Sequence, residues 1–190
     1  MKYTLPAVIF SGGKSSRMGE DKSLLPFAGY DSLAQYQYER LLKLFETVYL
    51  SAKEEKFSFS APVILDKDTG SSPLVGLVSA FETLPAEALF ILSVDAPFVD
   101  ETVIARLVTP AAEADAVIAH TPQGTQPLCG LYRRSILPLA KAHLDQGMHR
   151  MNHLLRQART TYVPFEEEAP FLNLNHPSEY EEALQRLTSP

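Results

Sequence analysis

Three features of this 190-residue chain predict an α/β fold with an open, mostly parallel central sheet. Short apolar runs alternate with segments of helical periodicity from one end to the other, the pattern that builds parallel strands through crossover helices. The run over 89–94 is almost wholly apolar, as a central strand buried on both faces must be. The first apolar run, 7–10, opens directly into a glycine-rich, cation-bearing loop over 11–22.

The elements follow in order. Ala7, Val8, Ile9 and Phe10 read as a buried strand. In the loop behind it, Gly12 and Gly13 let the backbone turn tightly and approach a ligand. Successive N–H groups there can converge on an anion, and Lys14, Arg17 and Lys22 add cations. A P-loop would need a glycine five positions before Gly13, but Val8 stands there, inside the strand. Ser32 caps a helix reaching to about 44, with apolar positions Leu33, Tyr36, Leu41, Leu42 and Phe45. Strands over 48–50 and 63–65 flank a loop, 51–62, expected to be mobile. A helix over 74–84 is stopped by Pro85. Asp100 caps a helix that ends before Pro110. Strands over 116–119 and 128–132 pair around a turn at 121–124. Helical segments over 135–146 and 149–157, a strand at 161–163 and a helix over 178–187 close the chain. A second mobile loop is expected over 166–170, with Glu166, Glu167 and Glu168 solvated. No internal repeat appears, so residues 1–190 read as one domain.

Composition narrows the function. Hydrophobic residues make up 45% and charged residues 21%, ordinary for a globular chain with a sizeable core. A formal charge of −6 argues against coating nucleic acid, so the loop cations are a local feature. Cys129 is alone and can form no intramolecular disulfide, which fits a reducing compartment. Its place within a strand suggests a buried, inert thiol. No apolar run is long enough to span a bilayer and no signal-peptide pattern is visible, so the cytoplasm is the expected location.

Ligands of open parallel sheets sit beyond the carboxyl ends of the strands, where strand order switches. The 11–22 loop, Ser51, Asp66 and Asp95 are therefore the residues to inspect. Asp95 directly follows the most apolar strand, where a carboxylate could hold Mg²⁺ together with substrate phosphate. A turn aspartate ahead of Pro97 would explain the same residue. Asp66 could accept hydrogen bonds from a base edge or ribose, although a polar loop entry also predicts it. Gly76 permits close approach near the next helix start. Asn173 and Asn175, two apart, project to one side if extended, while helix capping is the competing reading of Asn175. His149 and His153 lie four apart on an expected helix, but Arg150 replaces the Glu of H-E-x-x-H, so a basic helix facing an anionic substrate is the better reading.

Residues 10–22 resemble the L-A-G-G-x-S-x-R-M-G-x-D-K motif of the molybdenum cofactor guanylyltransferases, within the sugar-nucleotidyltransferase-like superfamily. The segment 72–76 looks like that family's G-P-L-x-G, 93–98 like its C-D-x-P, Gln126 and Pro127 occupy its H-P or Q-P position, and 173–177 is similar to its N-x-N-x-P. The resemblance covers nearly the whole chain. Ser11 stands where Ala is usual and Ser72 where Gly is usual. Related cytidylyltransferases carry Ala-Ala-Gly where this chain has Ser11, Gly12 and Gly13, which favours the guanylyl branch.

The resemblance implies a Rossmann-like three-layer α/β/α fold of the nucleotide-diphospho-sugar transferase type. It implies Mg²⁺-dependent transfer of GMP from GTP to molybdenum-molybdopterin, with release of pyrophosphate. By position, Phe10, Ser11, Gly12 and Gly13 would contact GTP, Lys22 and Arg17 its phosphates, Ser51 and Asp66 the nucleoside, and Asp95 the metal. Asn173 and Asn175 would complete the metal or molybdopterin side. Transient contact with cofactor-biosynthesis and molybdoenzyme-maturation proteins is expected, and none with nucleic acid or membrane. The alternatives are CTP or another phosphorylated acceptor. A regulatory nucleotide-binding protein without chemistry would be expected to lack Lys22 or Asp95, and both are present.

Overall fold

The computed structural model describes residues 1–12, 21–67, 70, 72–109 and 113–188. Gly13, Lys14 and Arg17, three of the loop positions singled out above, lie outside the described residues.

The strands are β1 (Ala7–Phe10), β2 (Val48–Ala52), β3 (Val63–Leu65), β4 (Ala88–Ser93), β5 (Ala116–Thr121), β6 (Gly124–Arg133) and β7 (Thr160–Pro164). They form one sheet in the order β3-β2-β1-β4-β6-β5-β7. All neighbouring pairs are parallel except those made by β6, which runs antiparallel to both β4 and β5. The mostly parallel sheet expected from the alternation is therefore present. The helices are α1 (Leu33–Leu41), α2 (Pro73–Thr83), α3 (Glu101–Val108), α4 (Leu137–Asp145), α5 (Met151–Gln157) and α6 (Pro177–Thr188).

Strand alternation builds two cores. Ala7, Ile9, Phe90 and Leu92 face one side, against Leu33 and Leu41 of α1 and Ile104 and Leu107 of α3. Val8, Phe10, Leu89 and Ile91 face the other, against Leu74, Leu77 and Phe81 of α2 and Leu154 and Leu155 of α5. Helices on both sides of a sheet buried on both faces give the three-layer architecture. Ser32, Ser72 and Asp100 cap α1, α2 and α3 through side-chain oxygens that accept a backbone N–H, as N-cap residues do.

Some boundaries differ from those expected. Ser51 does not begin a loop: it lies inside β2, paired with Phe10 and Ile64, because β1 and β3 extend the ladder past Leu50. His149 and His153 are not on one helix, since α5 starts only at Met151. Within 166–170, a 3₁₀ turn at Ala169–Phe171 forms around buried Phe171, and Glu168 accepts from the Gln123 N–H at 2.8 Å.

Gly130 sits in β6 opposite both Ile91 and Ile118. A Cβ there would come within 2.4 Å of the Val117 carbonyl. Gly130→Ala should therefore destabilise the fold by about 2 kcal/mol, the usual cost of overpacking. The readout is a lower urea midpoint at unchanged slope.

Candidate active site

The switch in strand order falls between β1 and β4. From β1 the chain moves outward to β2 and β3, then returns to lay β4 on the other side. The carboxyl ends of these four strands deliver Ser11, Ser51, Asp66 and Asp95 to one edge. Because β6 is antiparallel, its beginning arrives at the same edge and brings Gln126 and Pro127.

A cavity of about 100 Å³ opens on the β1–β2–β3 side, lined by Phe10, Gly12, Ser51, Asp66, Ser72, Pro73, Gly76, Ser93 and Leu128. Its floor is tight for a reason found at Gly76, in the first turn of α2: a Cβ there would stand 3.3 Å from the Phe10 ring and 3.1 Å from the Ser51 hydroxyl. Ser11 is fixed to β2, its N–H and hydroxyl both donating to the Ser51 carbonyl at 3.0 and 2.9 Å. Asp66 sits directly behind β3, its own N–H on the Ala52 carbonyl. Its Oδ1 is buried with no hydrogen-bond partner. Burial pushes the Asp66 carboxyl above its ordinary value, and the Lys53 charge and Ser51 hydroxyl only partly offset this. Asp66 thus lines the cavity with a carboxylate whose accepting capacity the protein does not fill.

The catalytic candidates meet beside it. Lys22 reaches across from the 3₁₀ turn Lys22–Leu24 to place Nζ 2.8 Å from Oδ2 of Asp95 and 3.2 Å from Oδ1 of Asn175. The Ser93 hydroxyl donates to Oδ1 of Asp95 at 2.6 Å. The Leu174 N–H donates to the Asp95 carbonyl, so buried Leu174 anchors the closing segment while the neighbouring asparagines turn toward the site. Glu179, not Asn175, covers the entry of α6: it accepts from the N–H groups of Asn175 and His176. The side-chain oxygen of Asn175 faces Lys22 instead of capping α6. On the far side of Asp95 a second cavity of about 190 Å³ is lined by Ser93, Asp95, Ala96, Val99, Gln126, Pro127, Leu128, Cys129, Phe171 and Asn173. Burial raises the Cys129 thiol to about 12, so it is a wall group and not a nucleophile.

Asp95 and the two asparagines offer hard oxygen donors. Among the described residues no group of three or more His, Cys, Asp or Glu side chains converges to cage a metal. A donor set this sparse fits a cation that takes its remaining ligands from phosphate and water, as Mg²⁺ does. His149 is spent elsewhere, its Nδ1 3.0 Å from the Ser72 hydroxyl.

Residues 7–161 match the family described as the MobA-like NTP transferase domain. The chain belongs to that family. A molybdenum cofactor guanylyltransferase of Campylobacter jejuni is 40% identical over 187 residues, covering 96% of this chain and 97% of that protein. One of the same name from Helicobacter pylori is 37% identical, covering 96% and 90%. The solved molybdopterin-guanine dinucleotide biosynthesis protein A of Archaeoglobus fulgidus shares the fold with a TM-score of 0.83 at 21% identity, covering 96% of this chain and 98% of that one. A cytidylyltransferase from Thermus thermophilus shares it at 0.73 and 16%, covering 98% and 100%. This MobA-like chain is therefore a nucleotidyltransferase, and its two cavities share Ser93 and Leu128 as walls, with Asp95 lining the second. The sequence reading overlooked Ser93, which the S-V-D spacing could have flagged, and Lys56, for which the sequence holds no signal. Among the described residues no helix is long and apolar enough to cross a membrane.

Proposed function

We propose that the protein transfers GMP from GTP to molybdenum-molybdopterin, forming the guanine dinucleotide and pyrophosphate. The observation that carries this reading is the Lys22–Asp95 pair at the strand-order switch, where Asp95 lines one cavity and a second opens beyond the shared walls Ser93 and Leu128. The first cavity takes the nucleoside. The Asp66 carboxylate accepts from the guanine N1–H and N2–H edge, whereas cytosine offers a single exocyclic amine and leaves the carboxylate partly unmatched. The second takes the flat pterin between Leu128, Pro127 and Phe171, with Gln126 and Asn173 on its polar edge. Curated relatives named for this activity, matched over nearly their whole length, support the choice of substrates.

The acceptor brings its own nucleophile, a phosphate already anionic near neutral pH. No general base is required of the protein. Lys22 holds a phosphate oxygen, and the backbone at Ser11 and Gly12 lines its path. These groups align two anions and offset their repulsion, which is most of what phosphoryl and nucleotidyl transfer demands. Mg²⁺, held by Asp95 with Asn175 or Asn173, would supply charge stabilisation at the α-phosphate.

The test is acceptor-dependent pyrophosphate release with GTP, with CTP as control. Turnover with CTP equal to that with GTP, or with an unrelated phosphorylated acceptor, would replace this reading. The pH dependence gives a second check. Because the Asp66 pKa is raised, its carboxylate is lost at a higher pH than an ordinary aspartate's, and GTP affinity should fall as pH drops through that range. The same raised pKa means that the fold favours the protonated form, so this group's contribution to stability improves as affinity declines. Asp66→Asn should remove the pH step and weaken GTP binding roughly tenfold to hundredfold, the worth of a hydrogen bond to a charged group. A variant with unaltered affinity and pH profile would show that Asp66 does not touch the base.

A further inference from the structure

We propose that Lys56 is a positioning residue that pins together the two ends of the segment between Ser11 and Asp21. Its Nζ donates to the Ser11 carbonyl at 2.9 Å and pairs with Oδ2 of Asp21. Ser11 immediately precedes Gly12 at the nucleoside cavity, and Asp21 immediately precedes Lys22. One ammonium therefore ties Ser11 and Asp21 to the β2–β3 connection.

Asp21 passes the constraint onward. Its other oxygen, Oδ1, accepts from the Ser23 N–H at 3.0 Å and the Ser23 hydroxyl at 2.7 Å, capping the turn that carries Lys22. Burial pushes the Asp21 carboxyl up, and hydrogen bonds from Lys56 and Ser23 outweigh it, leaving the group below its ordinary range. The Lys56 side chain is only 16% exposed and its ammonium lies 5.5 Å from the centre of the Phe57 ring. Such a shielded pair holds its geometry better than a solvated one. Tying the ends of a loop in advance removes closure entropy that ligand binding would otherwise have to overcome. Lys56 thereby sets where Lys22 stands relative to Asp95 without touching substrate itself.

The proposal rests on the GTP reaction for one of its two readouts. Lys56→Met, Lys56→Arg, Asp21→Asn and the Lys56→Met/Asp21→Asn double variant are compared with wild type. Asp21→Asn keeps the capping oxygen and removes the anion. Equilibrium GTP binding and backbone hydrogen exchange over residues 12–22 of the ligand-free protein are measured, with thermal midpoints as a control for folding. Expected are faster exchange over 12–22 and about tenfold weaker GTP binding in Lys56→Met and in Asp21→Asn, at nearly unchanged midpoint. Lys56→Arg recovers most of both, and the double variant is no worse than either single change, as members of one contact behave. Wild-type exchange in Lys56→Met would overturn the proposal. So would additive losses, or an impaired Lys56→Met beside an unimpaired Asp21→Asn, which would make Lys56 a direct phosphate ligand. A wild type that binds no GTP would refute the proposed function instead, and the exchange comparison would still decide the clamp.

Discussion

Asp95→Ala abolishes acceptor-dependent pyrophosphate release, lowering it by about three orders of magnitude or more while the thermal midpoint stays near wild type. The size follows from the role: loss of metal-assisted charge stabilisation at phosphorus removes several kcal/mol from the transition state, and about 1.4 kcal/mol is tenfold in rate. The fold should survive because the carboxylate contributes little to packing. Its partners are Lys22 and Ser93, at the sheet edge. What docks the closing segment there is the backbone carbonyl of residue 95, which the substitution keeps. Full activity in Asp95→Ala would remove the metal-holding assignment.

Lys22→Ala should weaken GTP binding and lower kcat together, with kcat reduced by about 10²–10³, the usual cost of removing a preorganised charge partner from developing transition-state charge. Its ammonium now balances Asp95 and is held by Asn175. Removing it leaves the carboxylate facing an incoming triphosphate, so like-charge repulsion adds to the lost contact. Unchanged GTP affinity in Lys22→Ala would show that the lysine is not a phosphate ligand.

Both residues were legible in the sequence, for different reasons. Asp95 follows a strand so apolar that it had to be central, and the carboxyl end of a central strand is where a parallel sheet places its chemistry. Lys22 was marked as one of three cations behind the first strand and by the motif around it. The tie between Lys22 and Asn175, far apart in sequence, could not be read from either segment, since it depends on Leu174 docking against the Asp95 turn. Asn175 looked as much like a cap as a ligand, and only the position of Glu179 separates the two. Ser51 was placed at a loop entry because three apolar residues define only a short strand. The ladder with β1 and β3 carries it further. The pairing of His149 with Ser72 was invisible because the histidine spacing suggested a helix that begins two residues later. Lys56 lies in a charged run followed by spaced phenylalanines, with no motif, and its use appears only when the β2–β3 connection brings it to Ser11 and Asp21.

In the proposed reaction the acceptor's phosphate attacks the α-phosphorus of GTP directly, with no base or covalent intermediate supplied by the protein. The most direct measurement follows the label from α-phosphate-labelled GTP through a single turnover with molybdenum-molybdopterin. The label is expected in the pterin–guanine dinucleotide, with one unlabelled pyrophosphate released for each. Label recovered as free GMP, or bound covalently to the protein before the dinucleotide forms, would contradict it.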